Sequence, residues 1–307
     1  MRQEERVLGE YTVAATTSDA PVLGFIGLGA MGRGMCANAV RKHAAPLHAY
    51  DMNPEALAVQ VAGGAVEAGS VADVARAAQV IFLSLPGGKQ VRAVSQEISE
   101  HAAPGTIVID LSTTGVAEAR EVAAMLSARG LAFADAPVAR ARQAAVDGTL
   151  AIMVGASEEL FRRIKPLLDY LGSDVTHCGE VGCGQVVKLI NNTLLFEQVA
   201  ALAEMMVVAE RAGVTPDKLI EAVGLGSGNS FALQNHARKA MAPRDFPEKA
   251  FPMAYALKDL GYTIELAEQM GVEPRMPRLI TEYYQAAIDQ GIGEKYFPAI
   301  IEVVDRK

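Results

Sequence analysis

Cysteine is scarce in this chain. Three residues, Cys36, Cys178 and Cys183, among 307 are too few and too scattered for a disulfide framework. His177, Cys178 and Cys183 lie close in sequence, but four ligands at zinc spacing are missing, so no metal is expected. No stretch combines the length and apolarity of a membrane span. Residues 1–20 are charged and then rich in Thr, Ala and Ser, without an apolar h-region; they read as a mobile extension and not as a signal peptide. Internal repeats and low-complexity segments are absent. A basic excess is absent too. The net charge of −8 argues against nucleic acid and anionic membranes as partners. What remains is ordinary soluble composition, half hydrophobic and a fifth charged, in a chain long enough for two domains. A reducing cytoplasm is the compartment it suits.

The first half alternates strands and helices. Val22 to Ile26 is a short apolar run that ends at Gly27-Leu28-Gly29-Ala30-Met31-Gly32, and a helical pattern follows to His43. Strand, glycine turn and helix in this order form a dinucleotide fingerprint. Gly27 allows the tight turn, Gly29 lets a pyrophosphate approach the helix N-terminus, and Gly32 lets the helix pack on the strand. The whole loop, with Leu28, Ala30 and Met31, is expected at the cofactor. The next strand, Leu47 to Tyr50, ends at Asp51, followed by Met52. An acid there can accept hydrogen bonds from the adenosine ribose and repels a 2′-phosphate, so NAD is expected over NADP. The same residues also read as a turn with an N-cap before Pro54. Further strands end at Ser84–Gly88, Ser112–Thr114 and Asp135–Arg142, and ligands gather at the carboxyl ends of strands in such sheets.

The stretch from Gly184 to Gly213 has no proline and no internal glycine. It reads as one helix, roughly 40 Å long at 1.5 Å per residue. Its first turns carry a lone charge, Lys188, with Asn191 and Asn192 at i+3 and i+4. That face continues as Leu195 and Val199, so it meets a core or a cleft. A snorkelling lysine is the ordinary reading; a catalytic lysine with an amide neighbour is the sharper one. After Gly213 only helical patterns follow. The expected architecture is α/β: a Rossmann-like, doubly wound, mostly parallel sheet over 21–183, an interdomain helix over 184–213, and an all-helical domain over 214–307.

Four motifs carry a resemblance: GFIGLGAMG at 24–32, DAPVARARQAAVDGTL at 135–150, GQVVKLINN at 184–192 and LKDLG at 257–261. In this order they resemble the β-hydroxyacid dehydrogenase family, which includes 3-hydroxyisobutyrate dehydrogenases, tartronate semialdehyde reductases and sulfolactaldehyde reductases. The resemblance implies hydride transfer between NAD(H) and a small anionic hydroxy acid or its aldehyde. It implies Lys188 as the catalytic acid/base and Asn192 as a substrate holder. Lys258 and Asp259 are implied at the cofactor and substrate, Thr113 near both, Phe251 at the cleft, and Leu85 and Pro86 against the dinucleotide. Homodimers or homotetramers are implied as well. The chain departs from the family at one place. Ala139, Arg140 and Ala141 stand where the family has Ser-Gly-Gly, whose serine and amides bind the substrate carboxylate. Arg140 is expected to replace them, reading a carboxylate or a sulfonate with its planar fork. An imine reductase or a non-catalytic dinucleotide-binding protein are the alternatives; the first generally lacks the lysine and the second could lose it.

Overall fold

The computed structural model describes residues 20–248 and 250–305. The extension expected over 1–20 therefore lies, except for Ala20, outside the described residues. The first half runs β1 (Leu23–Ile26), α1 (Gly32–Lys42), β2 (Leu47–Tyr50), α2 (Pro54–Ala62), β3 (Val66–Glu67), α3 (Val71–Ala77), β4 (Val80–Leu83), α4 (Gly88–His101), β5 (Ile107–Asp110), α5 (Val116–Ser127) and β6 (Ala132–Asp135). Then come β7 (Val138–Ala139), α6 (Arg142–Asp147), β8 (Leu150–Gly155), α7 (Glu158–Leu168) and β9 (Gly172–Gly179). The sheet order is β3-β2-β1-β4-β5-β6-β8-β7, with β9 beside β8. Strands β3 to β6 are all parallel in that order; β8 is antiparallel to β6 and β7 and parallel to β9. This is the expected doubly wound domain.

Helices cover both faces, which is why the central strands read as unbroken apolar runs. In β4, Val80 and Phe82 enter one core with Phe25, Met35 and Ile109, while Ile81 and Leu83 enter the opposite one with Ile98, Val108 and Leu126. The loop expected over 135–142 hides two short elements, β7 and the start of α6. Two strand residues and six helical ones are too few for a periodic pattern to show.

Helix α8 (Cys183–Arg211) then crosses into the second core. That core is built by α8 with α9 (Pro216–Gly224), a π-helix (Ala232–Met241), α10 (Met253–Gln269), α11 (Arg275–Asp289), a 3-10 turn (Phe297–Ile300) and α12 (Ile301–Asp305). Two segments of this helical half depart from the regular α-helix. Residues 232–241 form a π-helix, a distinction that side-chain spacing does not carry. The last helix begins as a 3-10 turn at Phe297-Pro298, because proline belongs in a first turn, where no backbone donor is missed.

Contrary to expectation, α8 is long and apolar enough, by length and composition alone, to cross a membrane. Burial accounts for part of that apolarity, with 44% of its most apolar stretch inside the chain. Gly184 packs on β8, where an added Cβ would lie 2.4 Å from the Met153 carbonyl. Phe196, Val199, Ala203 and Met206 fill the helical core. One helix serving two cores needs apolar residues on several sides.

Candidate active site

The start of α8 has no local cap: Gly182, in a left-handed conformation, supplies no side chain. Asp135, at the end of β6, takes that role. Its carboxylate accepts from the N–H groups of Gly182 (2.7 Å) and Gln185 (2.8 Å). A negative charge here also suits the helix N-terminus. Burial pushes the Asp135 carboxyl up to about 6 while these amides oppose the rise. The Gln185 side chain donates to the Ser112 carbonyl (2.8 Å) and accepts from Thr114 N–H (3.1 Å). The first turn of α8 is thus fixed to the carboxyl ends of β5 and β6, and Lys188 follows one turn later.

Lys188 is buried. Among the described residues no hydrogen-bond partner reaches its Nζ. Burial brings its ammonium down to about 8; Asp259 opposes that fall and Lys258 adds to it. Asn192, at i+4, is buried on the same face, and its Nδ2 donates to Asp259 Oδ2 at 2.7 Å. Lys258 Nζ lies 3.1 Å from Asp259 Oδ1 and donates to the Thr113 carbonyl at 2.9 Å. One carboxylate therefore faces two lysines and an amide. Lys188, Asn192, Thr113, Lys258 and Asp259, named from sequence, come together between the sheet and α10.

Tyr262 belongs to this junction and sequence reading passed over it. It lies one turn after Lys258, whose Nζ sits 5.2 Å from its ring centroid. Its hydroxyl accepts from Gly88 N–H at 3.3 Å. The i+4 spacing to Lys258 was the available signal. Phe251, expected at the cleft, lies next to the residues that follow Lys188 and Asn192 on α8. Its half-buried ring packs with Phe196, Tyr255 and Phe297, in the aromatic core of the helical domain.

The cofactor loop fits a dinucleotide. Gly27 has φ +97, and a Cβ there would lie 2.2 Å from the Ser84 carbonyl. An added Cβ at Gly29 would meet open space, as an approaching pyrophosphate requires. Met31, at the N-cap of helix α1, supplies no side-chain cap, leaving the first amides for an anion. Asp51 accepts from Leu28 N–H and, as a turn, from Asn53 N–H at 2.7 Å. Asn53, not Asp51, caps α2. A carboxylate offers about four acceptor sites, so two remain for ribose hydroxyls. Beside the loop lies a cavity of about 200 Å³ lined by Leu28, Gly29, Ala30, Arg33, Asn53 and Ala56 among others. Met52 is exposed at this rim. Leu85 N–H donates to Ser112 Oγ at 2.9 Å, and Pro86 is exposed beyond it.

Residues 22–179 match the family described as the NAD binding domain of 6-phosphogluconate dehydrogenase, and residues 182–304 match the NAD-binding family of NADP-dependent 3-hydroxyisobutyrate dehydrogenase. The chain belongs to the β-hydroxyacid dehydrogenase family. It is an NAD-binding dehydrogenase of that family. The 2-(hydroxymethyl)glutarate dehydrogenase of Eubacterium barkeri is 34% identical over 92% of this chain and 94% of its own length. The NAD-dependent L-serine dehydrogenase of Pseudomonas aeruginosa is 32% identical over 92% of this chain and 97% of its own. The structure of 3-hydroxyisobutyrate dehydrogenase from Mycobacterium tuberculosis with L-serine superposes with a TM-score of 0.86 at 31% identity, covering 93% of this chain and 99% of that one. An imine reductase from Bacillus cereus, at 18% identity and a TM-score of 0.61, shares the fold alone.

Arg140 departs from its expected placement. Its guanidinium donates to the Thr149 carbonyl and to Ser173 Oγ, and it pairs with Asp174 at 2.7 Å. Both ends of the fork are thereby taken by β9 and the turn before β8. Spacing along the chain placed the residue at the strand end but could not say which way its side chain leaves.

Proposed function

We propose that this enzyme moves a hydride between NAD(H) and a short hydroxy acid bearing a primary alcohol on the carbon next to the one that carries its carboxylate. L-Serine, 3-hydroxyisobutyrate and 2-(hydroxymethyl)glutarate, named for the relatives above, share that unit. The observation that carries the reading is the buried Lys188, without a hydrogen-bond partner among the described residues and brought to about 8, one turn before an amide held by Asp259.

NAD, when bound, supplies the hydride acceptor. In oxidation the carbinol C–H electron pair leaves as hydride and the hydroxyl proton passes to Lys188 Nζ, giving the semialdehyde; reduction reverses both transfers. A group with a pKa near the working pH serves in either direction. Asn192 holds the reacting oxygen, its own amide oriented by Asp259. Lys258 fastens the Thr113 loop against α10, and Asp51 receives the ribose. With its fork taken by Thr149, Ser173 and Asp174, Arg140 does not choose between a carboxylate and a sulfonate. The compartment we assign is a reducing cytoplasm, which suits three free cysteines.

The working unit we assign is a homo-oligomer. Val187, Ile190 and Leu194 line an exposed stripe of α8 at 40%, 49% and 51% exposure, apolar surface that a second copy would cover.

The test is NAD reduction with the three hydroxy acids, by wild type and by Lys188→Ala. The variant should lose at least ~100-fold in kcat and keep its Kd for NADH. Near-normal turnover by the variant, or none by wild type on all three acids, would overturn the reading.

A further inference from the structure

Among the described residues, two that are not glycine have positive φ: Arg140 (+83°) and Arg244 (+54°). Such a conformation is strained for a residue with a Cβ, and persists where the surroundings hold it. Both arginines are held by their own side chains. Arg244 is bound by Glu210 (2.8 Å) and Asp305 (3.3 Å). Arg140 has three acceptors in its one fork: the Thr149 carbonyl, Ser173 Oγ at 3.0 Å and Asp174 Oδ2 at 2.7 Å. An exposed ion pair alone does little. A planar fork on three acceptors fixes direction as well.

The place of this clamp gives it meaning. Residue 140 follows β7, five positions after Asp135, whose carboxylate caps the helix that carries Lys188. Two residues on, Arg142 donates to the Ala250 carbonyl at 3.1 Å, beside Phe251 in the helical domain. Residues 140–142 thus bridge the edge strand β9 and the helical domain.

We propose that Arg140 is a positioning residue: its clamp on β9 and the Thr149 carbonyl holds the backbone at 140 left-handed and so shapes the wall that receives the acidic end of the substrate. The arginine supplies by a side-chain tether what glycine would supply by conformational freedom. The proposal rests on the hydroxy-acid reading above, but it differs from direct reading of the anion by the guanidinium.

The two separate in one set of variants, assayed with whichever of L-serine or 3-hydroxyisobutyrate the wild type turns over. Asp174→Ala removes one of the three acceptors, loosening the clamp, and leaves the arginine in place. It should raise KM a few-fold with kcat little changed, and leave the Kd for NADH as it was. Arg140→Gly accepts positive φ without a clamp, so it should keep KM near wild type, alone and together with Asp174→Ala. Arg140→Ala, which removes the whole clamp, should be at least as defective as Asp174→Ala. If Asp174→Ala lowers KM, or if Arg140→Gly is as poor as Arg140→Ala, the guanidinium reads the anion itself and the proposal fails. If Asp174→Ala leaves KM unchanged, the clamp has no bearing on the site and the proposal also fails. Wild type inactive on all hydroxy acids would sink the activity reading instead. The clamp is then judged by amide hydrogen exchange over residues 139–142, which Asp174→Ala and Arg140→Ala must accelerate; equal exchange in wild type and Asp174→Ala overturns it.

Discussion

Asp259→Asn probes the charge balance of the site most directly. Burial brings Lys188 down to about 8, and Asp259 is the group that limits the fall, while Lys258 pushes the same way as burial. Neutral Lys188 is the base in oxidation and its ammonium is the acid in reduction. Oxidation should therefore rise as pH climbs through about 8, and reduction should fall there. With a midpoint near 8, roughly a tenth of the enzyme carries the base at pH 7. Removing an opposing charge within a few ångströms moves a pKa by about one to three pH units. Asparagine keeps an acceptor for the Asn192 amide, so the change is chiefly electrostatic. The midpoint of the oxidative profile should drop by about one pH unit or more, toward 7 or below. The assay is kcat/KM for alcohol oxidation across pH in wild type, Asp259→Asn and Lys188→Ala, with the Kd for NADH followed at each pH. A midpoint that stays or rises in Asp259→Asn refutes the reasoning. So does a Lys188→Ala variant that keeps the wild-type acidic limb.

Three other outcomes follow from the same geometry. Asp51→Ala should narrow the preference for NADH over NADPH, read as the ratio of their dissociation constants, because the charge that repels a 2′-phosphate is gone; an unchanged ratio removes Asp51 from cofactor choice. Asp110 is fully buried, with Oδ2 unpartnered, and burial pushes its carboxyl up to about 7. The folded state then holds a proton that the unfolded chain releases near 4, so this group's stabilisation is lost as pH rises toward 7; Asp110→Asn should gain stability relative to wild type between pH 5 and pH 8, and equal denaturation midpoint differences at the two pH values would contradict this. Leu194→Glu should dissociate the proposed oligomer in light scattering, because a lone charge is costly on an apolar stripe that a second copy covers; an unaltered mass would place the interface elsewhere.

Much of the fold was legible because its signals are local. Period-2 and period-3.6 patterns, glycine turns and an uninterrupted helix are properties of neighbouring residues, and they carried the doubly wound sheet, the spine α8 and the helical second half. The fingerprint loop was legible for the same reason: Gly27 needs its positive φ and Gly32 its missing Cβ wherever they occur in this turn. Lys188 and Asn192 could be paired from sequence because one helix turn separates them.

What tertiary structure alone decided involves groups far apart in the chain. Asp135 caps α8 across 47 and 50 positions, and Asn192 meets Asp259 across 67. Lys258 reaches Thr113 across 145. No spacing rule encodes such meetings, because they depend on how two separately patterned domains pack. Arg140 is the plainest case. Its place at a strand end follows from the sequence, but the direction of its side chain follows from Ser173 and Asp174, which reach it only once β9 has paired with β8. Sequence pattern specifies the elements; the electrostatics of a cleft depend on which elements become neighbours, and burial then sets the charge state of what they enclose.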